Sequence, residues 1–232
     1  MQRHKNIFRN AILCRRYRGR VFISGTGRAG TTLLIQLMSD LGLNTGFSSE
    51  TATTGDASSG PSRYFEIARA GLERDPFDPH NPFVVKSPFL CDFLPRIVAS
   101  GIDIDHIFIP IRRLEDAAES RRLVQAQSGC EPAGAPVPGG LLGTEAPEKQ
   151  ELILAQKLYR LVYNATCHNI PMTFLDFPRF AHDADYAFAK LQGLLPLTPR
   201  SVFKAVHTKR VRGDLIHDFK KWPSRGFVPT EL

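Results

Sequence analysis

Only four cysteines occur in the 232 residues, at positions 14, 91, 130 and 167, and no two form a C-x-x-C pair. That spacing argues against a structural zinc or a dense disulfide scaffold and suits a reducing compartment. No run approaches the ~20 apolar residues of a membrane span. The N-terminus also lacks an apolar stretch of signal-peptide length, so the expected location is cytoplasmic. Acids are missing from one place. Residues 1–20 hold seven Lys or Arg and no Asp or Glu, while the remainder carries equal numbers of both signs, so the net charge of +7 sits at the N-terminus. Residues 1–19 therefore read as a basic arm on a neutral body, residues 20–232. That body has no aromatics interleaved along a basic stretch, which counts against specific nucleic-acid recognition. The arm's "IFRNAIL" allows weak contact with an anionic membrane surface, the plainer reading being a surface-packed segment.

What is present fits one ordinary core. The chain is 42% hydrophobic and 23% charged, normal for a globular domain of this length. "RVFIS" at 20–24 reads as a buried strand, followed by a glycine-rich turn and then "TTLLIQLMSDLG", whose Leu33, Leu34, Leu37, Met38 and Leu41 share a helical face that Gly42 ends. Further strands are expected at 83–87, 105–111 and 172–177, with helices at 114–126, 148–168 and about 182–195. Between the second and third strands lie a Pro-bounded turn and the apolar "FLCDFLPRIV". Strands separated by helix-length segments predict an α/β fold, a three-layer α/β/α arrangement with a mainly parallel sheet. Residues 128–147 contain five Gly and four Pro, which predicts a long loop or lid, disordered at least part of the time.

The turn "GTGRAGTT" at 25–32 carries the chemistry. Gly25, Gly27 and Gly30 allow successive backbone N–H groups to face inward as an anion nest. A helix starting near Thr31 adds its free N–H groups and positive dipole end. Thr31 and Thr32 offer hydroxyls, and Arg28 offers a planar cation with five donors. The nucleotide-hydrolase pattern G-x-x-x-x-G-K-[ST] is nearly met, but Thr31 stands where its lysine belongs. Without that lysine, ordinary ATP or GTP hydrolysis loses its β/γ-phosphate contact. No acidic residue follows about 20 positions on at a strand end, so a dinucleotide loop is also disfavoured.

Here the chain resembles the sulfotransferases that use 3'-phosphoadenosine 5'-phosphosulfate. "GTGRAGTT" is similar to their "G-x-x-R-S-G-T-T" loop, with Ala29 in place of the usual Ser. The resemblance implies that Gly25, Thr26, Gly27, Arg28, Ala29, Gly30, Thr31 and Thr32 bind the donor's 5'-phosphosulfate end, with Arg28 beside the transferring sulfonate. "IFIPIRRLEDAAESRRL" places Arg112 and Ser120 at the spacing of the family's 3'-phosphate clamp, and here Arg113, Arg121 and Arg122 read as a solvated basic face. "VVKSPFLCDFLP" resembles the strand-end lysine segment, which makes Lys86 the cation at the leaving nucleotide. Pro88 occupies the place of the catalytic His of the phenol-type enzymes, so the implied acceptor is a carbohydrate or glycolipid hydroxyl. In the polysaccharide enzymes the base is a Glu about twenty residues beyond the loop cation. That position implies Glu50, with Asp56, Glu66 and Asp92 as rivals. "TKRVRGDLIHDF" is similar to a C-terminal cofactor segment and adds Lys209 and Arg210. The resemblance requires no metal, since the side chains supply the cations. Two other readings stay open: an ATP-dependent small-molecule kinase, and a non-enzymatic polyanion-binding protein with a degenerate loop.

Overall fold

Along the first strand the side chains alternate faces. Val21 and Ile23 enter one apolar cluster and Phe22 another, the period-2 pattern of a sheet covered on both sides. The computed structural model describes residues 17–47, 72–128, 137 and 139–211. Four parallel strands, β1 (Arg20–Ile23), β2 (Val84–Lys86), β3 (Ile104–Ile111) and β4 (Met172–Asp176), pair in the order β2-β1-β3-β4. Val21 opposes Val84 and His106, and Ile109 opposes Phe174. In this register Ile107 and Ile109 join Phe22 on one face, and Phe108 and Leu175 join Val21 on the other.

Helix α1 (Thr31–Asp40) follows β1 and buries Leu34, Ile35, Leu37 and Met38. It ends at Gly42, where φ of 79° lets the Leu43 N–H return to the Met38 carbonyl at 3.0 Å, a glycine-closed helix end. Helices α2 (Leu90–Ala99) and α4 (Gln150–Cys167) cover the opposite face. Helix α3 (Leu114–Gln127) packs on α4 through Ala117, Ala118 and Leu154. Beyond β4 come α5 (Phe177–His182), α6 (Ala184–Leu191) and α7 (Arg200–Arg210), which bury Phe180, Ala187, Leu191 and Phe203 on the α1 side. The α/β class and the parallel sheet agree with the sequence reading. Among the described residues no helix is long and apolar enough to cross a membrane.

Three elements depart from expectation. The single helix predicted at about 182–195 is two, because the Asp183 carboxylate accepts from the Asp185 and Tyr186 N–H groups at 3.0 and 2.9 Å and starts a new helix. Residues 90–99 form α2 despite the internal Pro95. Residues 200–210 form α7, which the sequence reading left without an element.

The strand order fixes where a site belongs. After β1 the chain turns toward β2, and after β3 it turns toward β4. Adjacent strands whose connections leave in opposite directions open a crevice at their carboxyl ends. Residues 24–30 and 112–113 meet in that crevice.

Candidate functional site

The loop after β1 departs from ordinary backbone geometry at four positions. Gly25, Gly27, Arg28 and Gly30 have φ of 137°, 67°, 52° and 84°. A side-chain-bearing residue at positive φ is uncommon outside strained or functional turns. Gly30 begins α1 with no side-chain cap, and a Cβ there would collide with the Phe177 ring. Among the described residues, none of the N–H groups from Gly25 to Leu33 donates to a recorded acceptor, and the first helical backbone bond runs from the Leu34 N–H to Gly30. Thr26 and Thr31 are buried and Ala29 is fully enclosed. A side chain at position 29 thus faces protein.

The predicted residues of this region converge. The Arg28 Nε donates to the Ser120 Oγ at 2.9 Å, and the Arg112 Nη1 donates to the Arg28 carbonyl at 3.2 Å. Arg112 also stands over the Phe177 ring, 5.6 Å from its centroid. Burial on one side of Arg28 lowers its pKa. From the other side of the crevice Lys86, 2% exposed, donates to the Thr32 Oγ1 at 2.8 Å. The strand-end lysine, the loop and the β3–α3 pair are therefore one assembly. Beside it opens a cleft of about 530 Å³ lined by Arg112, Arg113, Phe174, Asp176 and Tyr186, among others.

Other predicted residues go elsewhere. Arg210 grips Asp40 through Nε and Nη2 at 2.5 and 2.6 Å, at the end of α1 remote from the loop, about 15 Å along the helix. It ties α7 to α1 and is not part of this cluster. Lys209 is exposed on the same last turn of α7. Asp92 is bound to Lys157 at 2.7 Å and to Arg160 at 3.1 Å, so α4 holds its carboxylate. Glu50, Asp56 and Glu66 lie outside the described residues.

Two residues that the sequence reading did not place belong here. Arg121 is not on a solvated face. It is 6% exposed, donating Nη2 to the Thr26 carbonyl at 2.8 Å and Nη1 to the Gly140 carbonyl at 2.7 Å. Desolvation, and secondarily Arg28, push its pKa down to about 10, while Glu73 acts in the opposite sense. Arg122 is also engaged, with Glu119 and Glu151, and only Arg113 of the three is largely exposed. The second unplaced residue is Glu73, whose Oε1 lies 2.9 Å from the Lys86 Nζ.

The expected loop or lid at 128–147 is in part firmly packed. Gln150, fully buried, accepts from the Leu142 N–H at 2.7 Å and donates to the Leu142 carbonyl at 3.2 Å. The Gln125 Oε1 takes the Leu141 N–H, and Arg121 takes Gly140. Residues 139–146 thus close over the Arg121 side of the loop.

Buried polar atoms without partners concentrate at this site. Ser24 Oγ, Glu73 Oε2, Ser87 Oγ and Arg121 Nε have none. Such orphans are rare in folded proteins and call for a ligand, water or functional reason. Arg28, Lys86, Arg112 and Arg121 oppose a single carboxylate, Glu73, so the site carries an excess of positive charge suited to an anion. Among the described residues no group of three or more His, Cys, Asp or Glu forms a metal-type cluster. Comparison of the chain with protein-family models, curated proteins and solved structures yields no match.

Proposed function

We propose that this chain is a sulfotransferase, transferring a sulfonate from 3'-phosphoadenosine 5'-phosphosulfate to an acceptor hydroxyl on a carbohydrate or glycolipid. The observation that carries the reading is the joining of Arg28, Ser120, Arg112 and Lys86 around a glycine loop that lacks the nucleotide-hydrolase lysine. The loop is then a P-loop in which the 5'-phosphosulfate end of the donor meets the N–H groups of residues 27–32. The residues fit such a group, since the N–H groups are available, the cations outnumber the carboxylate, and several buried polar atoms lack partners.

Each residue has a task set by its place. Arg28 and Thr32 orient the sulfonate and 5'-phosphate, and Lys86, already on Thr32, neutralises charge at the leaving oxygen. Arg112, reaching from the loop to the neighbouring cleft, selects for the 3'-phosphate with Ser120. The cleft's Phe174 and Tyr186 offer flat apolar surface to the nucleoside. No lysine stands at position 31 to clamp a triphosphate, which sets this reading apart from a kinase.

Calorimetry tests it directly. 3'-Phosphoadenosine 5'-phosphate is expected to bind the unaltered protein at least tenfold more tightly than ADP or ATP. Equal affinity for the three nucleotides would overturn the proposal, and a preference for ATP with Mg²⁺ would point to a kinase.

A further inference from the structure

We infer that Glu73 is the general base of the transfer, an assignment that rests on the sulfotransferase reading and gives the acceptor side of that site its catalytic residue. The carboxylate is nearly enclosed, with its side chain 12% exposed. Oε1 is committed to the Lys86 Nζ at 2.9 Å, whereas Oε2 is buried and accepts from nothing. A carboxylate with one oxygen held by an ammonium and the other carrying an unused lone pair is equipped to receive one proton. An acceptor hydroxyl supplies the missing donor.

Both neighbours in sequence hold this carboxylate in place. Leu72 is fixed in the core at 1% exposure and adopts a left-handed φ of 64°, a strained conformation for a branched residue. On the other side the Arg74 N–H donates to the Lys86 carbonyl at 3.0 Å, and its guanidinium reaches the Gly46 carbonyl at 3.1 Å and the Phe47 ring. A carboxylate meant to vacate the seat for an incoming phosphate would stand on backbone free to swing. Glu73 is anchored to the end of the strand that carries Lys86, as a positioned base requires.

The ion pair links the two ends of the reaction. Glu73 Oε2 takes the hydroxyl proton while the acceptor oxygen bonds to sulfur. The bond from sulfur to the 5'-phosphate oxygen breaks, and its electron pair stays on that oxygen in 3'-phosphoadenosine 5'-phosphate. Protonation makes Glu73 neutral and ends its hold on Lys86. The ammonium is thereby released to the leaving oxygen as that oxygen becomes negative. Every atom and charge is accounted for without a further reagent.

The test compares Glu73→Gln with the unaltered protein in two measurements. Calorimetry with 3'-phosphoadenosine 5'-phosphate is expected to give affinities within about threefold, because the ground state does not use the base. Tighter binding by tenfold or more would overturn the inference, since the carboxylate would then be a plug in the anion seat. Consumption of the donor is followed with water, alkyl glucosides and 4-nitrophenol as acceptors. Turnover toward water and glucosides should fall by about 10²–10⁴. The deficit should shrink to less than tenfold with 4-nitrophenol, which is already largely ionised at pH 8 and needs no base. An equal deficit with every acceptor would overturn the assignment and leave Glu73 as a mere counter-ion of Lys86. Unchanged turnover would overturn it in favour of another carboxylate, Glu50 first. If Glu73→Gln does not fold, Glu73→Asp answers the same question: a hydroxyl-specific loss supports the assignment, and a uniform one overturns it. Failure of the unaltered protein to bind the nucleotide or consume the donor is a separate outcome that overturns the sulfotransferase reading itself.

Discussion

At the scale of single residues, Arg28 holds two positions at once. Its carbonyl accepts from Arg112 and its guanidinium donates to Ser120, so the loop and the β3–α3 segment share one side chain. Arg28→Ala is therefore expected to lower both nucleotide affinity and turnover, because it removes a cation from the ground state and the transition state together. Arg112→Ala should act differently. It should cost about 1.5–3 kcal/mol of affinity for 3'-phosphoadenosine 5'-phosphate and little for ADP, the worth of one charge-assisted contact. Competition calorimetry separates the two patterns, and an equal loss for both nucleotides would refute the assignment of Arg112 to the 3'-phosphate. Cys91 supplies a pH-dependent readout. Burial, with Asp92 second, raises its thiol from 9.0 to about 11. The folded state thus favours the protonated form, and the resulting stabilisation is complete below pH 9 and fades as pH rises toward 11. Iodoacetamide at pH 8 should accordingly label the exposed Cys167 well ahead of Cys91, as read by peptide mass spectrometry.

At the scale of elements, the loop and α1 were legible because glycine spacing and a leucine face both leave local marks. The two missed helices show where such marks fail. Helix α2 contains Pro95, a residue that normally argues against a helix interior, yet its buried Leu90, Cys91, Leu94 and Ile97 follow a helical repeat. Helix α7 buries only Phe203 and His207, too few apolar positions for periodicity to show. His207 is held there by donating Nε2–H to the Phe180 carbonyl at 2.8 Å, a tertiary contact that no local pattern reveals. Glu73 and Arg121 were missed for the same reason. The first gains meaning from Lys86 and the second from Thr26 and Gly140, partners remote in sequence. Two substitutions probe these elements. Gly30→Ala meets both a left-handed φ and the Phe177 ring. It should destabilise by at least the ~1–2 kcal/mol of the backbone term alone and weaken nucleotide binding, as followed by urea unfolding and calorimetry. Arg210→Ala should cost on the order of 2 kcal/mol, between an exposed and a buried pair, while leaving nucleotide affinity unchanged. A loss of affinity there would return the C-terminal helix to the site.

At the scale of the whole molecule, the parallel sheet ordered β2-β1-β3-β4 brings the β1 loop and the end of β3 side by side. Alternating strand and helix signals were enough to indicate the α/β class. The strand order was not, since no residue pattern states which edges pair. Because the anion cluster draws on β1, β2, β3 and α3, its occupation should stabilise the entire fold. At a hundredfold excess over the dissociation constant, bound nucleotide adds about 2.7 kcal/mol. For a chain of this length that corresponds to a rise in melting temperature of about 5–10 °C, measurable by scanning calorimetry. Lys86→Ala should reduce the rise, because it empties the junction of Thr32 and Glu73.

The attachment of residues 139–142 has a consequence for how the chain tolerates change. The backbone leaves α3 after Gln127, yet Leu141 returns to the side chain of Gln125 in that helix's last turn, and Gln150 holds Leu142 from the other side. Departure and return are thus fastened to the same post. Lengthening the intervening stretch adds only about 0.6 kcal/mol of closure entropy per doubling, and it need not displace Arg121 or the glycine loop. A reporter peptide spliced between residues 131 and 136 should leave donor-product affinity intact, making this stretch a docking port at which new recognition modules can be grafted beside an unaltered catalytic frame.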